Sequence, residues 1–226
     1  MTPPPRAVLL DLDGTLLDTA PDMSAALNAL REEEGQPAMP LAALRQYVSH
    51  GAIALVRAGF GSPPDVEFER LRLRFLDIYR GRLSVATRPF DGFDAVLGQL
   101  EQAGLPWGVV TNKPGWLTEP LMAELGLAAR AGCIVSGDTL PQRKPHPAPL
   151  LHAARLLDRA PGDCLYVGDA ERDIVAGRAA GMRTLAARFG YLAPDEDPAA
   201  WQPDGILESP VDLLDWVGDA AGTRLQ

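Results

Sequence analysis

The sequence predicts an α/β protein, a doubly wound parallel sheet with a small all-helical domain inserted after its first strand. Three observations carry this expectation. Ala7-Val8-Leu9-Leu10 is apolar throughout, as a strand buried on both faces must be. Residues 18–85 show helical spacing and no convincing strand. From Phe90 onward, short apolar runs alternate with helical segments, the pattern of repeated strand–helix units around a parallel sheet. The expected division is a core of residues 1–17 and 86–226 and a helical cap of residues 18–85.

Taken in order, Ala7–Leu10 leads into Asp11-Leu12-Asp13-Gly14-Thr15, a strand that ends in a turn. Pro21–Glu34 reads as a helix with Thr19 as its N-cap and Gly35 as its stop. Leu41–Val48 and Ala52–Ala58 read as two short helices hinged at His50-Gly51, and Gly59, Gly61, Pro63 and Pro64 make a turn. Asp65–Leu83 is a longer helix, its apolar Phe68, Leu71, Phe75 and Ile78 spaced by three and four. Helix Phe93–Ala103, strand Trp107–Val110, helix Leu117–Leu125, strand Cys133–Val135 and helix Pro147–Leu157 follow. Strand Leu165–Val167 then runs into Gly168-Asp169 and a helix that reaches Ala180. Thr184–Ala186 and Gly205–Leu207 are the last strands, Pro194–Pro203 a surface loop and Pro210–Val217 a final helix.

Residues two apart in an extended segment point the same way, so Asp11 and Asp13 can face one pocket at the strand's end. Two carboxylates that close repel, and one is raised in pKa unless a cation lies between them. A polar turn after a core strand reads equally well from these residues alone. Thr111-Asn112, after the second apolar strand, can donate to phosphate oxygens or cap a helix. Lys144, in Arg143-Lys144-Pro145-His146-Pro147, is a cation just before a helix start, where the helix dipole disfavours it. Its place asks for another reason, such as anchoring an anion. His146 reads as a local backbone contact and His152 as a helix-surface residue. Asp169 and Asp173 lie one helical turn apart on one face. Acidic residues collect in first turns anyway, which accounts for one of them better than for both.

Composition narrows the classes. Of 21 basic residues, 19 are arginine, and the only lysines are Lys113 and Lys144. Lys113 directly follows Thr111-Asn112 and Lys144 stands in its own segment, and the compact ammonium does not substitute freely for the guanidinium fork at a phosphate. A net charge of −9 and a pI near 4.8 argue against nucleic-acid or anionic-membrane partners. The start of the chain shows no apolar leader, so a cytoplasmic location is expected. Cys133 and Cys164 sit beside apolar runs and read as buried free thiols. Nothing here chooses between a monomer and a homodimer.

Asp11-x-Asp13-Gly14-Thr15, Thr111, Lys144 and Asp169/Asp173 together resemble, in order, the four signatures of the haloacid dehalogenase superfamily. The resemblance implies a phosphatase with Asp11 as nucleophile and Asp13 as acid and base. It also implies Mg²⁺ held by Asp11, the Asp13 carbonyl and Asp169 with Asp173 in support, and a phosphoryl site made by Thr111, Asn112 and Lys144. Thr111–Pro114, Gly137–Pro147 and Asp11–Ala20 resemble the phosphoglycolate phosphatases. Phe189-Gly190-Tyr191, Asp195–Asp197 and the insert's length resemble the N-acetylmuramic acid 6-phosphate phosphatases. Either implies a small phosphorylated metabolite as partner. A phosphosugar mutase of the same superfamily and a receiver-like phospho-switch are the other classes that fit clustered aspartates. Within the cap, Arg45, His50, Gly51 and Arg57 are the expected substrate-facing residues, an arginine pairing with a substrate carboxylate.

Overall fold

The fold is a computed structural model that describes residues 3–218. Six parallel strands form its sheet: β1 (Ala7–Leu10), β4 (Trp107–Val110), β5 (Cys133–Val135), β6 (Cys164–Gly168), β7 (Arg183–Ala187) and β8 (Gly205–Leu207). Their order is β5-β4-β1-β6-β7-β8. β1 is central, with Leu9 opposite Gly108 on one side and Tyr166 on the other. All four β1 residues are fully buried, which explains their unbroken apolar run, each large side chain contributing about 1.5–3 kcal/mol. The chain builds outward from β1 to β4 and β5, then returns to lay β6 against β1 and continues to β8. The switch in direction therefore falls between β1 and β6, and such sheets bind ligands at that crevice, at the strands' carboxyl ends.

Helices α5 (Phe93–Gln102), α6 (Gly115–Glu124), α7 (Ala148–Leu156), α8 (Glu171–Ala179) and α9 (Leu213–Val217) belong to this sheet layer. One apolar cluster joins β1 residues Val8 and Leu10 to α5, α6 and the insert. Another packs Leu9, Cys133, Tyr166 and Leu150 beneath α7. Cys133 and Cys164 are buried free thiols, as expected. Among the described residues no helix is long and apolar enough to cross a membrane.

Between β1 and α5 the chain forms α1 (Ala20–Glu33), α2 (Leu41–Leu44), α3 (Gly51–Phe60) and α4 (Asp65–Arg80), with α1 and α3 packed on α4. A two-strand ribbon that the sequence does not signal carries it: β2 (Leu17–Asp18) pairs antiparallel with β3 (Arg88–Pro89). Two further expectations are corrected. Thr19 does stand at the N-cap of α1, but its hydroxyl makes no capping bond and donates instead to Asp13 Oδ1 at 2.7 Å. Pro194–Pro203 is no simple surface loop, because Pro198–Trp201 makes a 3-10 turn that buries Trp201 against Ile174 and Ala186. The indole's apolar area decides this against the polar composition around it.

Candidate active site

Asp11 follows β1 and Asp169 follows β6, across the switch point. The Asp11 N–H donates to the Val167 carbonyl at 2.9 Å, carrying the strand pairing one residue further and fixing Asp11 beside the end of β6. Gly14 makes the turn after Asp13 with φ +85°, and a Cβ there would fall on the Asp169 carboxylate and the Tyr191 ring. A Cβ on Gly168 would likewise strike Asp173. The glycines in these two segments therefore let acids approach the backbone closely.

Lys144 joins the acids. Its side chain is wholly buried, 2.9 Å from Asp11 Oδ1 and 2.7 Å from Asp173 Oδ1. It also donates to the Val110 carbonyl and the Tyr166 hydroxyl, both at 2.8 Å. The Tyr166 hydroxyl donates in turn to Asp173 Oδ1 at 3.1 Å. A buried ammonium is tolerable only when its donors are met this fully.

Asp11, Asp169 and Asp173 each offer an oxygen within 4.8 Å of the others, and all three are buried. Asp169 Oδ2 accepts from the Ser49 hydroxyl at 2.5 Å and the Tyr191 N–H at 3.0 Å. Asp169 Oδ1 is buried with no partner. Burial, and then the charges of Asp11 and Asp173, push the Asp169 carboxyl up to about 7. Burial raises Asp11 above the usual carboxylate range despite Lys144. At Asp173, burial is outweighed by Lys144 and Arg172, and the carboxyl is held low. Three carboxylates with an orphaned oxygen and only hard oxygen donors fit a cation such as Mg²⁺, which would reverse the two upward shifts.

A second pair lies beside the first. Lys113, 7% exposed, places its ammonium 2.9 Å from Asp13 Oδ1 and 2.9 Å from the Tyr79 hydroxyl of α4. Burial favours the neutral amine, but Asp13 and Tyr79 overcome it and raise the Lys113 pKa. Thr111 accepts the Lys113 N–H on its hydroxyl oxygen at 3.1 Å, leaving its own proton available as a donor. Asn112 Nδ2 donates to the Lys144 carbonyl at 2.9 Å, so one of its two amide protons holds the lysine loop in place.

These groups open on a cavity of about 590 Å³, whose wall includes Asp11, Asp13, His50, Thr111, Lys144 and Arg172. Gly51 lies in the same wall. Arg45 and Arg57, expected to face the substrate, lie outside it. Arg45 pairs with Asp18 at 3.1 Å and stacks 4.8 Å from the Tyr191 ring centroid; Arg57 lies over Phe68, 5.5 Å from its centroid. An aromatic face attracts a guanidinium, and both arginines are turned toward such faces and away from the cavity. His146 does accept a local backbone N–H, from Ala148.

Sequence reasoning assigned no role to Lys113, Tyr79, Ser49, Arg172 or Tyr191. Lys113 carried a signal, being one of two lysines. Arg172 stood inside the Asp169–Asp173 segment, and here it donates to the Ser49 carbonyl at 2.6 Å and lies 3.3 Å from His50 Nδ1. Burial, and then Arg172, lower the His50 pKa and favour its neutral form. Ser49, from the turn before α3, and Tyr79, from α4, reach the site from segments remote in sequence, which no local pattern marks.

Comparison with known proteins agrees with this geometry. The family model described as haloacid dehalogenase-like hydrolase matches residues 8–187. A phosphoglycolate phosphatase of Xanthomonas campestris pv. campestris is 48% identical over 209 residues, covering 92% of this chain and 95% of that one. An N-acetylmuramic acid 6-phosphate phosphatase of Pseudomonas aeruginosa is 46% identical, covering 93% of each. Among solved structures, one described as a predicted phosphoglycolate phosphatase from Haemophilus somnus superposes with a TM-score of 0.83. It is 26% identical and covers 93% of this chain and 96% of that one.

Proposed function

The chain belongs to the haloacid dehalogenase-like hydrolase family and is a phosphoric monoester hydrolase, and from that premise we propose how its residues divide the work. Asp11 attacks phosphorus, so that an Asp11 Oδ–P bond forms while the ester P–O bond breaks. Asp13 gives its proton to the departing alkoxide. Water then attacks the aspartyl phosphate, Asp13 takes back a proton, and phosphate leaves with Asp11 restored. Asp11, Asp169 and the Asp13 carbonyl, with Asp173 in support, would hold Mg²⁺. Bound there, the cation supplies charge stabilisation to the phosphoryl oxygens. Thr111, Asn112 and Lys144 bind those oxygens, since positioning and electrostatics are most of what phosphoryl transfer requires. Residues 18–85 act as the cap that closes over the transfer and keeps bulk water out.

The observation that carries this reading is the buried Lys144 ammonium between Asp11 and Asp173, with the orphaned Asp169 oxygen beside it. A buried cation shared by two acids neutralises only part of three carboxylates, and the remaining negative charge suits a divalent metal, which would in turn let a phosphoryl dianion approach.

For the substrate we favour 2-phosphoglycolate, hydrolysed to glycolate and phosphate. The second reading, N-acetylmuramic acid 6-phosphate, is supported by the Pseudomonas relative and by a cavity of about 590 Å³, roomy for a two-carbon acid. Phosphate release from both compounds with Mg²⁺, each alongside the Asp11→Asn variant as blank, decides between them. A kcat/KM at least tenfold higher for 2-phosphoglycolate is expected. The reverse order assigns the amino sugar, and full turnover by Asp11→Asn removes Asp11 from the nucleophile's role.

A further inference from the structure

Lys113 is a buried cation in the cavity wall that the mechanism above leaves without a task. Its ammonium has three donors, and its recorded partners are Asp13 and the Tyr79 hydroxyl. It sits beneath Tyr79, shielded from bulk water, where a charge interacts strongly with an anion brought close. It is also a lysine in a chain that otherwise uses arginine, Lys144 excepted. The position matters because Asp13 is the group that meets the ester oxygen. Lys113 Nζ is 2.9 Å from Asp13 Oδ1. Oδ1 already accepts from Thr19 and Lys113, and Oδ2 is 3.3 Å from Nζ, so a hydrogen bond of about 2.7 Å from Oδ2 to the ester oxygen puts that oxygen within about 6 Å of Nζ. In a 2-hydroxy acid the carboxylate oxygens stand about 3 Å from the hydroxyl oxygen. They can thus reach the ammonium while phosphorus faces Asp11.

We propose that Lys113 is a specificity-determining residue that binds a substrate carboxylate attached to the ester carbon, selecting phosphomonoesters of 2-hydroxy acids. This rests on the phosphatase reading and narrows it. In N-acetylmuramic acid 6-phosphate the carboxylate hangs from a lactyl ether across the sugar ring. Several ring and ether bonds separate it from the ester oxygen, where the 2-hydroxy acid has a single carbon, so the same side chain would distinguish the two candidate substrates.

The test measures kcat and KM for 2-phosphoglycolate and for ethyl phosphate, which has a methyl where the acid has its carboxylate, in wild type and Lys113→Met with Mg²⁺. Wild type should prefer the acid. The variant should lose about 10- to 100-fold of that preference, the worth of a charge-assisted hydrogen bond, mostly through a raised KM. An equal fall on both substrates would overturn the proposal, because Lys113 would then serve only Asp13 or the fold. A second comparison needs no variant: wild type with 3-phosphonooxypropanoate, whose carboxylate is one methylene further out. At least tenfold poorer turnover than 2-phosphoglycolate is expected, and equal turnover contradicts the proposal. Ethyl phosphate keeps the two levels apart. If wild type hydrolyses it but shows no preference for the acid, the Lys113 assignment fails alone. If wild type hydrolyses none of the three, the 2-phosphoglycolate reading fails with it.

Discussion

Acid–base pairs occur in two settings in this molecule, and the settings behave differently. At the sheet's rim, Lys144 lies between Asp11 and Asp173 with at most 4% of any of these side chains exposed. On α4, Arg70 and Arg74 pair with Glu67, Glu34, Glu33 and Asp77 at comparable distances of 2.6–2.8 Å, all in contact with solvent. Distance does not distinguish them. Water does: exposed pairs are screened and hold long side chains in place at an entropic cost. Buried ones lose their hydration and become costly to leave half-made. The α4 pairs are a solvated face that orders little, whereas the rim pairs set the charge state of the reacting groups.

The sharpest way to break this comparison is to remove one cation from each set. Lys144→Met should abolish phosphate release and destabilise the fold by about 3–5 kcal/mol, because Asp11 and Asp173 would lose the ammonium that contacts both and keep only the charge of Arg172. Urea unfolding checks this, and a loss near zero would place the rim pair with the surface ones. Gly14→Ala comes next. Its φ of +85° and the Cβ pressed onto Asp169 and Tyr191 predict about 1–3 kcal/mol of destabilisation. Activity should fall further than stability, since the displaced group is a proposed metal ligand. Thermal melts and turnover on one preparation separate the two effects.

A smaller effect comes from pH. Asp169 moves from the ordinary 3.8 to about 7 on folding, so between those values the folded chain holds a proton that the unfolded one has released. The linkage relation then makes stability fall as pH rises through that window, with Asp11 acting in the same direction. Mg²⁺ favours the ionised acids, so its stabilising shift in Tm should grow as pH rises toward 7. Melts from pH 5 to 8 with and without Mg²⁺ measure both slopes; a Mg²⁺ shift independent of pH would contradict the assignment. Last, Arg74→Ala should leave Tm and turnover unchanged within error.

The two regions also differed in how far the sequence could be read. At the rim, Asp11 and Asp169 each lie one residue past a strand end, and every group travels with a local string: Asp11 with Gly14, Asp169 with Gly168, and Lys144, in the loop before α7, with its prolines. Strand periodicity and turn chemistry place all of them without long-range information. The helical insert offers no such help. The directions taken by Arg45 and Arg57 depend on Tyr191, Phe90 and Phe68, and only folding brings Tyr191 and Phe90 to Arg45. Two-residue strands such as β2 and β3 are too short to show a period. Thr19 looked like a helix cap because local chemistry favours that use, while the tertiary contact with Asp13 took its hydroxyl instead. Lys113 falls between the cases: its residue type was conspicuous, but its partner Tyr79 was not.

The central claim is that Asp11 carries the phosphoryl group, and acid-quenching the enzyme during turnover with Mg²⁺ and substrate tests it most directly. Borohydride reduction of an aspartyl phosphate leaves homoserine at the modified position, which peptide mass spectrometry locates. Homoserine at position 11, absent without Mg²⁺ or substrate, is the predicted result. Steady phosphate release with Asp11 never modified would contradict it.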